Sequence, residues 1–107
     1  MMERAGGEEA ERLLTVIVPY RNRREYLGRS LRSIAAQGCR GGFDLILVNN
    51  GSDDGGAEIC REVAQECGSE CAVHIVMAEE KRAGSSMARN CGLSLCRTKY
   101  VYFFDSD

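Results

Sequence analysis

The residues most able to do chemistry gather in three polar clusters and one pair of carboxylates. Asp105 and Asp107 stand one residue apart directly after the apolar stretch 100–104. Hard carboxylate oxygens of this kind suit Mg2+ or Mn2+ bound together with substrate phosphates. One aspartate would hold the ion while the other addresses a sugar hydroxyl or an arginine. Arg21, Arg23 and Arg24 form a basic cluster, and guanidinium forks match the oxygens of a diphosphate. The run 49–56 is built from Asn, Ser, Asp and Gly; it lacks bulk, so a flat base could approach its backbone. Residues 78–84 supply a third polar segment. The first three of these groups also have plain structural readings: a polar strand end, a solvated basic turn, and a turn feeding a helix cap at residues 52–54. No G-x-G-x-x-G follows the first apolar run and no G-x-x-x-x-G-K-[ST] is present. Both absences disfavour a nicotinamide cofactor and P-loop phosphoryl transfer.

The elements that must position these groups are read from periodicity. Residues 13–18 form a β-branched apolar run closed by Pro19, which predicts a strand ending at the proline. From Glu25, the positions Leu27, Leu31 and Ile34 recur at helical spacing with Arg29, Arg32 and Gln37 on the other face. Gly38 and the pair Gly41-Gly42 stop that helix. A second strand is predicted over 43–48, apolar without alternation, as when both faces are covered. A helix over 57–67 would bury Cys60, Val63, Ala64 and Cys67, and a third strand runs over 72–77. Ser85 caps a third helix whose inward face is Ala88, Cys91, Gly92 and Leu95, and residues 100–104 make the fourth strand. The order βαβαβαβ predicts an α/β fold: an open, mainly parallel sheet with helices on both faces and right-handed crossovers. Ligands of such sheets bind outside the carboxyl ends of the strands, where segments 20–24, 49–56, 78–84 and 105–107 all emerge.

Composition narrows the class. The chain has 107 residues, 44% hydrophobic and 28% charged, with a formal net charge of −2. That allows one domain and supplies no basic field for nucleic acid. No apolar run approaches the roughly 20 residues that span a bilayer. Residues 1–12 are charged and small, without the apolar stretch of a secretory signal. The expectation is a mobile leader over 1–12 and one folded unit over 13–107, in the cytoplasm or peripheral at the inner face of a membrane. Six cysteines, at 39, 60, 67, 71, 91 and 96, raise disulfide and zinc alternatives. Only Cys67 and Cys71 have the close spacing of a zinc pair, and the single His74 does not complete a set. Free thiols are the expected state.

The motifs resemble those of family 2 glycosyltransferases, inverting nucleotide-sugar enzymes of the GT-A fold. Val16-Ile17-Val18-Pro19 running to Asn22, then Tyr26-Leu27 and Ser30-Leu31-Arg32-Ser33-Ile34 with Gln37, is similar to the family's first βα unit. Residues 44–55 resemble its D-D-G-S-x-D-G segment, with Asn49-Asn50 where the family has paired aspartates. Gly84 with Ala88-Arg89-Asn90-Cys91-Gly92 resembles G-x-x-x-A-R-N-x-G, and 100–107 resembles the strand ending in D-x-D.

The resemblance implies nucleotide binding at Pro19, Tyr20, Arg21, Asn22, Asn50, Ser52, Gly84, Arg89 and Asp105. Asn50 would face the base, and Asp107 with Asp105 would bind Mn2+ or Mg2+ at the diphosphate. The Pro-aromatic-Arg-Asn-Arg wording of residues 19–23 is similar to that of animal galactosyltransferases and favours a UDP-sugar. The implied reaction is inverting transfer from a nucleoside-diphosphate sugar to the hydroxyl of an unidentified acceptor, with its catalytic base outside this chain. The chain would then be the N-terminal donor and metal half, truncated after the fourth strand and inactive alone. The alternative is a non-catalytic remnant acting in assembly, self-associating through a fourth strand that exposes Tyr102 and its two phenylalanines.

Overall fold

A computed structural model describes residues 13–22, 24–36, 42–67 and 73–104. The predicted leader 1–12, Arg23, the polar-face residue Gln37, the helix stops Gly38 and Gly41, the thiols Cys39 and Cys71, and the carboxylates Asp105 and Asp107 lie outside the described residues. The elements alternate as β1 (Leu14–Tyr20), α1 (Arg24–Ala36), β2 (Phe43–Asn49), α2 (Gly56–Cys67), β3 (Val73–Glu79), α3 (Ser85–Leu95) and β4 (Tyr100–Phe103). All strand pairs are parallel, in the order β3-β2-β1-β4. The chain therefore steps outward from β1 through β2 to β3, then crosses back to place β4 on the other side of β1. That reversal puts the ends of β1 and β2 at the middle of the sheet and makes the gap between β1 and β4 a topological switch point.

Each face of the sheet has its own core. Val16, Val18 and Tyr20 of β1 and Leu45 and Leu47 of β2 meet Leu27, Leu31 and Ile34 of α1 and Cys60 and Val63 of α2. On the opposite face Ile17, Ile46 and Val48 meet Ala88 of α3, with Val76, Cys91, Val101 and Phe103 packed around them. The unbroken apolar runs of β1 and β2 follow from this double coverage.

Several boundaries differ from the sequence expectation. β1 does not end at Pro19 but runs through it to Tyr20. The reason is register: Leu13 and Ile17 turn their carbonyls to β4, where Tyr100 N and Phe104 N donate to them, whereas Tyr20 turns to β2 and accepts from Asn50 N. Pro19 has the parity of Leu13 and Ile17, so its missing N–H falls on the β4 side, beyond the last β1–β4 pair at Ile17 and Phe103. The β2 ladder loses nothing. β3 extends to Glu79, so Ala78 and Glu79 belong to the strand rather than to the polar loop. Ser85 is the first helical residue, and the cap position is Gly84, which offers no side-chain acceptor.

The face of α3 is also narrower than predicted. Ala88 and Gly92 are buried, but Leu95 is 41% exposed. A Cβ built on Gly92 would collide with Ile17 Cγ2; glycine lets α3 lie directly on β1. Ala64 is half-buried where full burial was expected. On β4 the exposed side chains are Tyr100 and Tyr102, while Phe103 and the adjoining Phe104 pack against the two cores. Cys60, Cys91 and Cys96 are free thiols. Burial pushes the Cys60 and Cys91 thiols above their ordinary pKa, which suits packing groups rather than nucleophiles.

Candidate functional site

The carboxyl ends of β1 and β2 are joined by a reciprocal set of side-chain and backbone hydrogen bonds. Asn22, in the left-handed region at φ 52°, donates its backbone N–H to Ser52 Oγ at 2.9 Å and accepts Asp53 N–H on its side-chain Oδ1 at 3.0 Å. Left-handed backbone is tolerated better by Asn than by other side chains. Asn49 Oδ1 accepts the Ser52 amide at 2.8 Å and closes the turn leaving β2. Asp54 accepts Arg24 N–H on Oδ2 at 3.0 Å and Gly56 N–H on Oδ1 at 3.1 Å. One carboxylate thus satisfies the first turns of both α1 and α2 and sits where both helix dipoles are positive. The cap position of α2 is Gly55 rather than a residue of 52–54; Asp54 stands just before it and reaches Gly56 N–H with its side chain, and its second duty to α1 was not legible in the sequence.

The β3–α3 loop is held by a second set. Asn50 is 8% exposed; its Nδ2 donates to Glu80 O at 2.9 Å and Arg82 O at 2.8 Å, and its Oδ1 accepts Gly84 N–H at 3.2 Å. Glu80 accepts the backbone and side-chain N–H groups of Arg82 at 2.9–3.0 Å. The Arg82 guanidinium, then its backbone amide, holds the Glu80 carboxyl down at about 2. Neither Glu80 nor Arg82 was singled out by sequence reasoning. Their E-x-R spacing is the one signal that was available.

The residues expected to bind nucleotide divide as follows. Arg21 and Asn22 are exposed at the exit of β1, Ser52 is half-buried beside Asn22, and Gly84 is exposed at φ 117°. Pro19 is buried in the strand below them and Arg89 is half-buried on α3. Tyr20 is a correction: its side chain is 4% exposed and belongs to the α1/α2 core. Even-numbered positions of β1 face that core, so the ring points under the rim. Burial, then its hydrogen bond to Cys60, pushes the Tyr20 phenol far above its ordinary pKa. Only the Tyr20 carbonyl, accepting Asn50 N–H at 2.9 Å, takes part in the rim. Among the described residues no group of three or more His, Cys, Asp or Glu could hold a metal ion; the expected ligands Asp105 and Asp107 fall outside them. No described helix is long and apolar enough to cross a membrane.

Fold and rim together define an open parallel α/β unit whose polar loops and helix N-termini converge at the carboxyl end of the sheet, the arrangement of nucleotide-binding α/β proteins. The particular family follows from likeness to known proteins. Residues 15–107 match the family described as Glycosyl transferase family 2, and the chain belongs to that family. It is 42% identical over 94 residues to Glycosyltransferase GlyA of Streptococcus pneumoniae, covering 88% of this chain and 13% of GlyA. Among solved structures it is similar to the mannosyltransferase PcManGT from Pyrobaculum calidifontis in complex with GDP-Man and Mn2+, at TM-score 0.74 and 28% identity, covering 88% of this chain and 27% of that one. It has the fold of S. aureus TarS 1–349 in complex with UDP, at TM-score 0.75 and 23% identity, covering 89% of this chain and 27% of that one. The chain thus spans a small part of the relatives it matches.

Proposed function

We propose that the chain is the donor-binding part of a glycosyltransferase that moves a sugar, with inversion, from a UDP-sugar to an acceptor hydroxyl. The observation that carries this is the knitted rim at the carboxyl ends of β1 and β2, Asn22 to Ser52 and Asn50 to Gly84, in a family 2 chain. Arg21, Asn22 and Ser52 would line the nucleotide, and Arg89 and Gly84 would bound it from α3. Both N–H groups of Asn50 are taken by the loop, and one lone pair of Oδ1 has no described partner. Toward a ligand Asn50 therefore acts as an acceptor, as an aspartate would. That matches the ring N–H of uracil or guanine; adenine offers a donor only at its exocyclic amino group.

Asp107, with Asp105, would hold Mn2+ or Mg2+, which when bound neutralises the departing diphosphate. That PcManGT was solved with Mn2+ supports the choice of metal. The acceptor hydroxyl would be deprotonated by a carboxylate. Asp54 and Glu80 are already committed to backbone amides and to Arg82, so that base is left to residues other than these. A cytoplasmic location is part of this proposal.

Calorimetry with UDP, GDP and ADP, with and without Mn2+, tests it. Mn2+-dependent binding is expected for UDP first, GDP second and not for ADP, with Asp107→Ala abolishing the metal dependence. A folded sample that binds none of the three at millimolar ligand overturns the proposal. A second reading, assembly without catalysis, is favoured by the exposure of Tyr100 (55%) and Tyr102 (57%) on β4. Sedimentation decides it: a monomer that binds UDP removes it, and a stable oligomer that binds no nucleotide supports it.

A further inference from the structure

Asn50 makes three side-chain hydrogen bonds at the rim, and its partners all lie in the loop between β3 and α3. Two of them are backbone carbonyls, Glu80 O and Arg82 O, and the third is a backbone amide, Gly84 N–H. Only a carboxamide can serve all three, because it carries two donors and an acceptor on one planar group. A carboxylate has no donor and would set its charge against both carbonyls. The Asn50 backbone is itself anchored, since its N–H continues the ladder to Tyr20 O, and Glu80 N–H bonds to Asn49 O. The loop is therefore tied at Glu80, Arg82 and Gly84 to a single residue at the end of the neighbouring strand. Gly84, in turn, is the residue from which α3 starts: its carbonyl accepts Ala88 N–H at 3.2 Å.

We infer that Asn50 is the positioning residue of the nucleotide site, fixing the β3–α3 loop and the start of α3 against the exit of β2. An amide, not a carboxylate, is what this chain requires at position 50. The inference rests on the donor-binding reading for its functional half, and on geometry alone for the tie. It accounts for Asn at a position where paired carboxylates would have seemed better suited to the site. The loop of this chain presents acceptors to that side chain, and donors are needed to meet them. Leaving those carbonyls and the Gly84 amide unpaired in a half-buried setting carries the penalty of unmade hydrogen bonds.

The test uses the 107-residue chain and reads the tie and the site separately. In the native chain the Asn50 carboxamide protons and the Gly84 amide should exchange slowly by NMR, in contrast to the side chain of Asn90, which lies on an exposed position of α3. Asn50→Asp should speed exchange at Gly84 and weaken UDP binding in the presence of Mn2+, each by roughly tenfold or more, with circular dichroism unchanged. Asn50→Ala, which removes the tie without adding charge, should speed Gly84 exchange to a similar extent. Fast exchange at Gly84 in the native chain, or slow exchange in both variants, overturns the tie. Freed exchange with undiminished UDP affinity overturns the positioning role. A native chain that shows the slow protons yet binds no UDP overturns the donor reading and the positioning role with it, and leaves the tie standing. Should Asn50→Asp fail to fold, the native exchange measurement and Asn50→Ala decide the matter.

Discussion

The two faces of the sheet are built on different principles. The α1/α2 face is held by bulk: Leu27, Leu31, Leu45 and Leu47 are all fully buried, and two helices cover β1 to β3. The α3 face is held by closeness. Its helix contributes Ala88 and Gly92, small residues one turn apart, so the backbone of α3 rests on Ile17 and its neighbours. Bulk tolerates a range of shapes as long as volume is kept, whereas close approach tolerates almost no added atom. The difference places stability on one face and positional accuracy on the other. The rim belongs to both: Asp54 ties it to α1 and α2, and Asn50 ties it to the start of α3.

Leu31→Ala is the strongest test of this contrast. Removing a fully buried leucine from α1 should cost about 2–5 kcal/mol by denaturant unfolding. A smaller loss than that of Gly92→Ala would break the assignment of stability to the α1/α2 face. Gly92→Ala comes next, at about 1–3 kcal/mol for one added carbon against Ile17. Its loss should shrink in an Ile17→Ala background, since that change removes the Cγ2 atom the added carbon would meet. Additive losses would mean that α3 is free to move away. Asp54→Ala should cost about 1–2 kcal/mol, because one carboxylate caps two helices; amide exchange should rise at both Arg24 and Gly56, and a rise at only one would show that the caps are independent. The smallest effect concerns pH. The Glu80 carboxyl is held at about 2, below its ordinary 4.5. Its contribution to stability is therefore complete above the ordinary value and is lost as pH falls through about 2. Carboxyl NMR should show that low midpoint, and Arg82→Ala should raise it toward 4.5.

Much of this architecture was legible residue by residue, and the misses have specific causes. The strands announced themselves as apolar runs and α1 as Leu27, Leu31 and Ile34 at helical spacing, because burial on a periodic element leaves a periodic trace. Pro19 misled because its cost depends on which neighbour its missing N–H would have met, and that is a property of strand pairing. Tyr20 misled for a related reason: a residue at a strand end can point over the rim or under it, and only register decides. Leu95 lies on the predicted stripe of α3, yet it remains 41% exposed at the end of the helix.

The chemistry divides in the same way. The types of the rim residues, amides, hydroxyls, arginines and carboxylates at the ends of successive strands, were determined by the sequence alone, since parallel topology sends every such segment to one edge. Which atoms face each other was decided only by the tertiary structure. Asn22 and Ser52 are 30 positions apart, as are Arg24 and Asp54, and Asn50 and Gly84 are 34 apart. Hydrogen bonds require donor and acceptor to meet within about 3 Å and in line, and no local pattern records that meeting. The sequence therefore specified the groups at the rim, and the folding of β2 between β1 and β3 determined which of them hold the loops and which remain for a ligand.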